Sequence, residues 1–344
     1  MRFGRSVLVT GWRVALAALL ALSAGATARA DNIVIKMATL VPQGSSWHLA
    51  LQEMAETWKK ASNGQVTLRL YPGGVAGDDT DVIRKMRLGT LNAAFVTSQG
   101  IEEIDRAVLA MQIPLAYANY AELDCVLEKM SPDLESGLAD KGFVLIGWSD
   151  GGFVRFFTKT PARTPDDLKP MKMFSWAGDD RYVKLWKEAG FNPVPLPSTE
   201  ISTALQTGLI TALSTTPEAM LLLQWYNQAK CMTELDWAVL LGGFVVNQSA
   251  WDKIPPAIRP ALEASARETG RRLRDLSRAG MVRNIEAMQK RGLQVVTLTP
   301  AEKGNWRKTI EAIYPKVRGP LFPPDAFDAA LRHRDECRRE LQAK

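Results

Sequence analysis

Ile33-Val34-Ile35-Lys36-Met37-Ala38-Thr39 is the stretch on which the fold turns. It is a short apolar run with neither glycine nor proline, of the length and composition of a β-strand. Downstream, Pro42-Gln43-Gly44-Ser45-Ser46 reads as a loop, with Ser45 or Ser46 able to cap a following helix. Leu49, Met54, Ala55 and Trp58 then recur at roughly helical spacing, and Asn63-Gly64 supplies a left-handed stop. Val66–Tyr71 alternates like a strand, Pro72-Gly73-Gly74 turns the chain, Asp78–Leu88 is a helix, and Leu91–Thr97 is a buried strand. Strand, helix, strand, helix, strand in this order predicts a mainly parallel sheet with helices on its faces.

The pattern continues. Helices are expected over Tyr120–Met130, Asp179–Gly190, Ser198–Thr207 and Pro217–Gln228. Strands are expected over Phe143–Trp148, Val154–Thr158, Leu209–Leu213 and Leu240–Val246. Asp150-Gly151-Gly152 divides the first two of those strands. Pro256–Arg291 is one long amphipathic stretch, read as a single helix with bends at Gly270 and Gly280. Its arginines alternate with acids as on a solvated face. Val295–Leu298 is a strand, and Thr299-Pro300-Ala301-Glu302 starts a further helix.

The chain has 344 residues, 43 basic and 37 acidic, for a net charge of +6. Four of the arginines (Arg2, Arg5, Arg13 and Arg29) fall in the first thirty residues, where there is no acid. Without them the balance is 39 against 37, which is not the footprint of a nucleic-acid binder. Those thirty residues read as a secretory signal, with a basic start, an uncharged apolar run from Val14 to Ala24, and Ala28-Arg29-Ala30 as the cleavage site after Ala30. The apolar run is about a dozen residues, short of the roughly 20 that cross a bilayer. The expected location is therefore the periplasm, and an uncleaved anchor is the alternative. The remaining length is enough for two domains.

Three cysteines are present. Export permits a disulfide, and Cys125 with Cys231 is the expected pair because Cys337 falls in a polar C-terminal tail. With only His48 and His333 in the chain, a histidine metal site or a hydrolase triad has almost nothing to draw on, and no metal or cofactor is expected. His48 reads as a loop or cap residue.

Several local patterns coincide in order and spacing. They are Ala38-Thr39-Leu40-Val41-Pro42-Gln43-Gly44-Ser45, Tyr71-Pro72-Gly73-Gly74, Arg87-Leu88-Gly89-Thr90 and Arg155-Phe156-Phe157-Thr158. They continue as Thr164-Pro165-Asp166-Asp167-Leu168-Lys169, Pro193-Val194-Pro195-Leu196-Pro197, Glu200, Ala204-Leu205-Gln206-Thr207-Gly208, then Trp251 and Pro255-Pro256. The ordered set, over residues 33 to 318, resembles the extracytoplasmic solute-binding subunits of TRAP transporters (tripartite ATP-independent periplasmic, DctP-like). The resemblance implies an α/β, two-lobed periplasmic-binding-protein fold with crossing strands, a hinge and a long bracing helix, matched here by 256–291. It places lobe I at 31–152 with about 242–284, and lobe II at about 153–241 with about 285–322. A polar, helical tail follows at 323–344, and 1–30 is the signal. It further implies a small-molecule ligand held between the lobes, delivery to an ion-gradient-driven membrane permease, no catalysis, and a monomer or homodimer.

The family's ligand-gripping arginine follows the Thr-Pro-x-Asp-Leu segment, where guanidinium–carboxylate pairing explains its use. Here that position aligns with Phe174, in Lys172-Met173-Phe174-Ser175-Trp176. A phenyl ring cannot pair with a carboxylate, and Trp176 shares its face by strand alternation. Two rings on a cleft edge suit an aromatic, apolar or weakly acidic ligand, or a cation over a ring; plain core packing is the alternative. Ser214 and Thr215 align with a glutamate and a ligand-contacting asparagine of the family, so hydroxyls replace charged and amide groups. Arg155 is left as either a contact for an acidic group or an interlobe ion pair. Glu200, Trp47 and Trp148 complete the candidates, Glu200 as an organiser of the cleft and the two tryptophans as walls or filler. Paired acids at Asp78-Asp79 and Asp179-Asp180 read as helix starts. The competing classes are a ligand-sensing subunit for a membrane sensor kinase and, more remotely, an exported carboxylate-dependent hydrolase.

Overall fold

A computed structural model describes residues 32–343, so the expected signal segment and its cleavage at Ala30 lie outside the described residues. Its strands are β1 (Ile33–Thr39), β2 (Val66–Tyr71), β3 (Ala93–Thr97), β4 (Phe143–Thr158), β5 (Lys172–Trp176), β6 (Asn192–Leu196), β7 (Ala212–Thr215), β8 (Cys231–Thr233), β9 (Ala238–Asn247) and β10 (Gln294–Val296). The longer helices are α1 (Ser46–Ala61), α2 (Asp79–Arg87), α3 (Tyr120–Ala139), α4 (Asp180–Glu188), α5 (Ile201–Thr207), α6 (Pro217–Leu222), α7 (Arg259–Gln289), α8 (Pro300–Glu311) and α9 (Pro324–Gln342).

The opening run pairs in parallel on both sides, Ile33 opposite Val66 of β2 and Met37 opposite Ala93 of β3. The Ser45 hydroxyl accepts the His48 N–H at 3.2 Å and so starts α1, while His48 Nδ1 accepts the Gly44 N–H at 3.0 Å. His48 is thus a buried capping residue. Leu51, Met54 and Trp58 of α1 face the sheet and are fully buried with Ile35 and Met37. Burial of each such side chain contributes about 1.5–3 kcal/mol. On the other face, Val82, Ile83 and Met86 of α2 join Val126 and Leu134 of α3.

The sheet order is β2-β1-β3-β9-β4-β7-β5-β6, with β8 paired to both β4 and β10. Its centre is the antiparallel pair β4 and β9, which runs from one lobe into the other. β4 pairs with β9 from Phe143 to Val154, and its last residues, Arg155–Thr158, pair with β7. Asp150-Gly151-Gly152 does not divide two strands here. β4 is continuous for 16 residues, and the ladder slips between Asp150 and Phe153. A bulge of this kind adds residues to one strand without ending it. Gly152 takes φ +86° there, and its N–H donates to Asp150 Oδ1 at 2.9 Å.

Helix α7 is continuous for 31 residues through both of its glycines. Gly270 lets it approach β4: a Cβ there would lie 2.2 Å from the Trp148 carbonyl oxygen. The Ser149 hydroxyl donates to the Gly270 carbonyl at 3.0 Å. One turn or two on, Arg278 grips Asp124 of α3 and Asp150 of the bulge, each at 2.7 Å, and lies 4.3 Å from the Tyr120 ring centre. The long helix therefore braces both the crossing strand and the lobe-I helix beside it.

The expected disulfide is corrected. Cys125 of α3 bonds to Cys337 of α9, with Cα atoms 6.0 Å apart, and Cys231 is a free, buried thiol on β8. The C-terminal stretch is a helix docked on lobe I, with Phe327, Ala330 and Cys337 buried in the same core as Val126. Its polar composition belongs to the outer face, which conceals the inward stripe. No helix among the described residues is long and apolar enough to cross a membrane.

Candidate functional site

Where β4 and β9 pass between the lobes they border a cavity of about 830 Å³. Lobe I contributes Trp47 from the first turn of α1 and Phe95 from β3, with ring centres 5.9 Å apart. Lobe II contributes Phe174 and Trp176 from β5, in an edge-on pair at 5.4 Å and 65°. Strand alternation explains why these two rings meet. Helix α4 adds Tyr182 and Trp186, 5.2 Å apart at helical i, i+4 spacing. Ser214 and Thr215 of β7 also line it. No arginine among the described residues does.

Five of the candidate residues are therefore brought together: Trp47, Phe174, Trp176, Ser214 and Thr215. Phe174 also packs in the lobe-II core with Leu196 and Ile201, so the cavity and the core share it. The other three lie elsewhere. Arg155 is buried with its Nε donating to Asp236 Oδ1 at 3.0 Å, beside a separate small hollow. Trp148 packs with the lobe-I core, and Glu200 is exposed in the turn before α5. Tyr182 and Trp186 fall four apart within the expected Asp179–Gly190 helix, and nothing in the sequence signals that their face looks into the cavity.

The acid pairs start helices, since Asp78 caps α2 and Asp179 caps α4. They also do more than the sequence indicates. The Asp78 carboxylate accepts the Ser198 N–H at 2.8 Å and the Ser198 hydroxyl at 2.7 Å, which ties the start of α2 to the turn before α5 across the cleft. Asp79 is fully buried. Its Oδ2 accepts the Thr97 N–H at 2.8 Å and hydroxyl at 2.7 Å, and its Oδ1 has no partner. Burial outweighs those hydrogen bonds and lifts its carboxyl to about 7. Glu102, after β3, is pushed to about 8, first by burial and then by Asp179; Arg181, 3.8 Å away, opposes the shift. Among the described residues the one group of three metal-donor side chains is Cys125, Cys337 and Glu340, and its two sulfurs are joined in the disulfide.

The profile of the bacterial extracellular solute-binding proteins, family 7 (DctP), matches residues 37–319. The chain belongs to this family. One family-7 relative is the 2,3-diketo-L-gulonate-binding periplasmic protein YiaO of Escherichia coli, 26% identical over 259 residues, covering 74% of this chain and 78% of that protein. Another is the C4-dicarboxylate-binding periplasmic protein DctP of Rhodobacter capsulatus, 23% identical, covering 88% and 91%. Among solved structures, a TRAP periplasmic solute-binding protein of Ralstonia eutropha with bound (S)-2-acetolactate superposes with TM-score 0.81 at 24% identity, over 88% of this chain and 99% of that one. The sugar-acid-binding DctPAm of Advenella mimigardefordensis, in complex with galactonate, gives 0.82 at 18% identity over 89% and 99%. At these identities the structures establish the shared two-lobed family-7 fold and nothing finer.

Proposed function

We propose that this chain is a periplasmic solute-binding protein that closes its two lobes around one small organic ligand and delivers it to a TRAP-type membrane permease. The family-7 assignment supports capture and delivery, and the cavity between the lobes supplies a place for the ligand. Relatives and fold neighbours are named for, or hold, small organic acids, which favours an acid here too.

The body of that ligand is read as ring-like or apolar rather than as a polyhydroxy chain. The observation that carries this is the Phe174–Trp176 edge, together with a cavity wall that has no arginine among the described residues. Rings supply apolar area and stacking faces but cannot neutralise a carboxylate. The hydroxyls of Ser214 and Thr215 can orient the ligand by single hydrogen bonds.

Native mass spectrometry of freshly purified protein, followed by calorimetry, tests the reading. An aromatic or lipid-like co-purified mass is expected, and Phe174→Ala is expected to weaken that ligand about tenfold or more. Tight binding of succinate or galactonate that Phe174→Ala leaves untouched would sink it.

A further inference from the structure

We propose that Lys316 is the anion-recognising residue of the cavity, and that the ligand is an amphipathic organic anion. Its apolar or ring body lies among the aromatic walls, and its single carboxylate or sulfonate meets the Lys316 ammonium at the rim. This inference rests on the reading above that the cavity holds a ring-like body.

Charge in the cavity wall is the starting point. Among the described residues, five acids line it: Asp79, Asp150, Asp179, Glu188 and Glu218. Lys316 is the one cation. Three of the acids have a cationic partner, and Asp79 and Glu218 have neutral hydrogen-bond partners. Asp79 has Thr97, Asp150 has Arg278, Asp179 has Arg181 at 3.7 Å, Glu188 has Lys184 at 4.0 Å, and Glu218 has Asn284. Basic residues around Lys316 are paired as well, Arg307 with Glu311 at 3.7 Å and Arg318 with Asp328 at 2.5 Å. Lys316 forms no ion pair among the described residues, so the one cation of the wall is free to meet an anion.

Its placement fits the role. Lys316 lies in the short helix Tyr314–Val317, on the segment that leaves α8 in lobe II and enters the lobe-I core at Val317. Lys316 is exposed, while Val317, Leu321 and Phe322 beside it extend the apolar wall. An ionised group held deep among rings would lose its hydration without replacement, at a cost of several kcal/mol. Held at the rim, the same group keeps water and gains an ammonium. Such a half-exposed pair is modest, so it selects an anion over a neutral analogue without being the main source of affinity.

Fluorescence titration with two probes of the same body tests this: anilinonaphthalene sulfonate, an anion, and phenylnaphthylamine, uncharged. The full chain is expected to bind both and to prefer the sulfonate by about fivefold at low salt. That preference shrinks as salt rises. Lys316→Met is expected to abolish it and Lys316→Arg to keep it. Binding of both probes with no preference, or with one that survives Lys316→Met, overturns the role of Lys316 and leaves the ring-lined cavity standing. Failure of both probes to bind overturns the ring-lined reading, and this inference with it.

Discussion

Asp79 uses half of its hydrogen-bonding capacity and sees no solvent. A carboxyl in that position is easier to keep neutral than charged, hence its rise from 3.8 to about 7. The consequence for stability follows from linkage. Between about pH 4 and pH 7 the folded chain holds a proton here that the unfolded chain has released, so the contribution is complete at low pH and is lost as pH rises through about 7. Asp79→Asn keeps an acceptor for the Thr97 N–H and has no charge to bury. Thermal melts at about pH 8 are expected to place this variant about 2–4 °C above the parent, with the gap closing toward about pH 5. An equal gap at both pH values would show that Asp79 does not titrate in this window. At the same scale, the position of Phe174 and Trp176 was legible because strand alternation puts residues two apart on one face. Arg155 was not, since nothing in the sequence links it to Asp236, 81 residues later.

At the level of elements, the join between α7 and β4 is the tightest in the molecule's frame. Gly270→Ala would place a methyl group 2.2 Å from a backbone oxygen that has no room to move. It is expected to cost about 2 kcal/mol or more in chemical denaturation. Gly304→Ala in α8, where a Cβ meets nothing within 4 Å, is expected to stabilise by about 0.5–1 kcal/mol. If both substitutions behaved alike, helix propensity and not close approach would govern Gly270. The opening strands and helices could be read directly, because each carries one clear apolar period. The bulge in β4 could not, because Asp-Gly-Gly marks a turn and a bulge with the same residues. Nor could the docking of α9, whose inward stripe of Phe327, Ala330 and Cys337 is thin among charged neighbours.

For the whole molecule, the contact between the lobes is where conformation and chemistry meet. Glu102 of lobe I is buried against Asp179 and Arg181 of lobe II, with Glu103 and Arg106 nearby on its own side. Separating the lobes is expected to expose Glu102 and lower its carboxyl toward the ordinary 4.5. With Glu102 raised to about 8 where the lobes meet, closure is expected to take up a proton near neutral pH. Ligand affinity is therefore expected to fall as pH rises from about 6 to 9, and Glu102→Gln to flatten the profile, as read by calorimetry. A profile unchanged by Glu102→Gln would exclude this coupling.

The Cys125–Cys337 bond closes a loop with a sequence separation of 212 residues. That loop contains all of lobe II and both crossing strands. The core begun by α2 and α3 is finished only by Phe327, Ala330 and Cys337, near the end of the chain. Lobe I is therefore completed only by residues about 200 positions after the helices that begin its core. A chain cut anywhere before 324 would take Phe327, Ala330 and Cys337 out of that core and leave Cys125 without its partner.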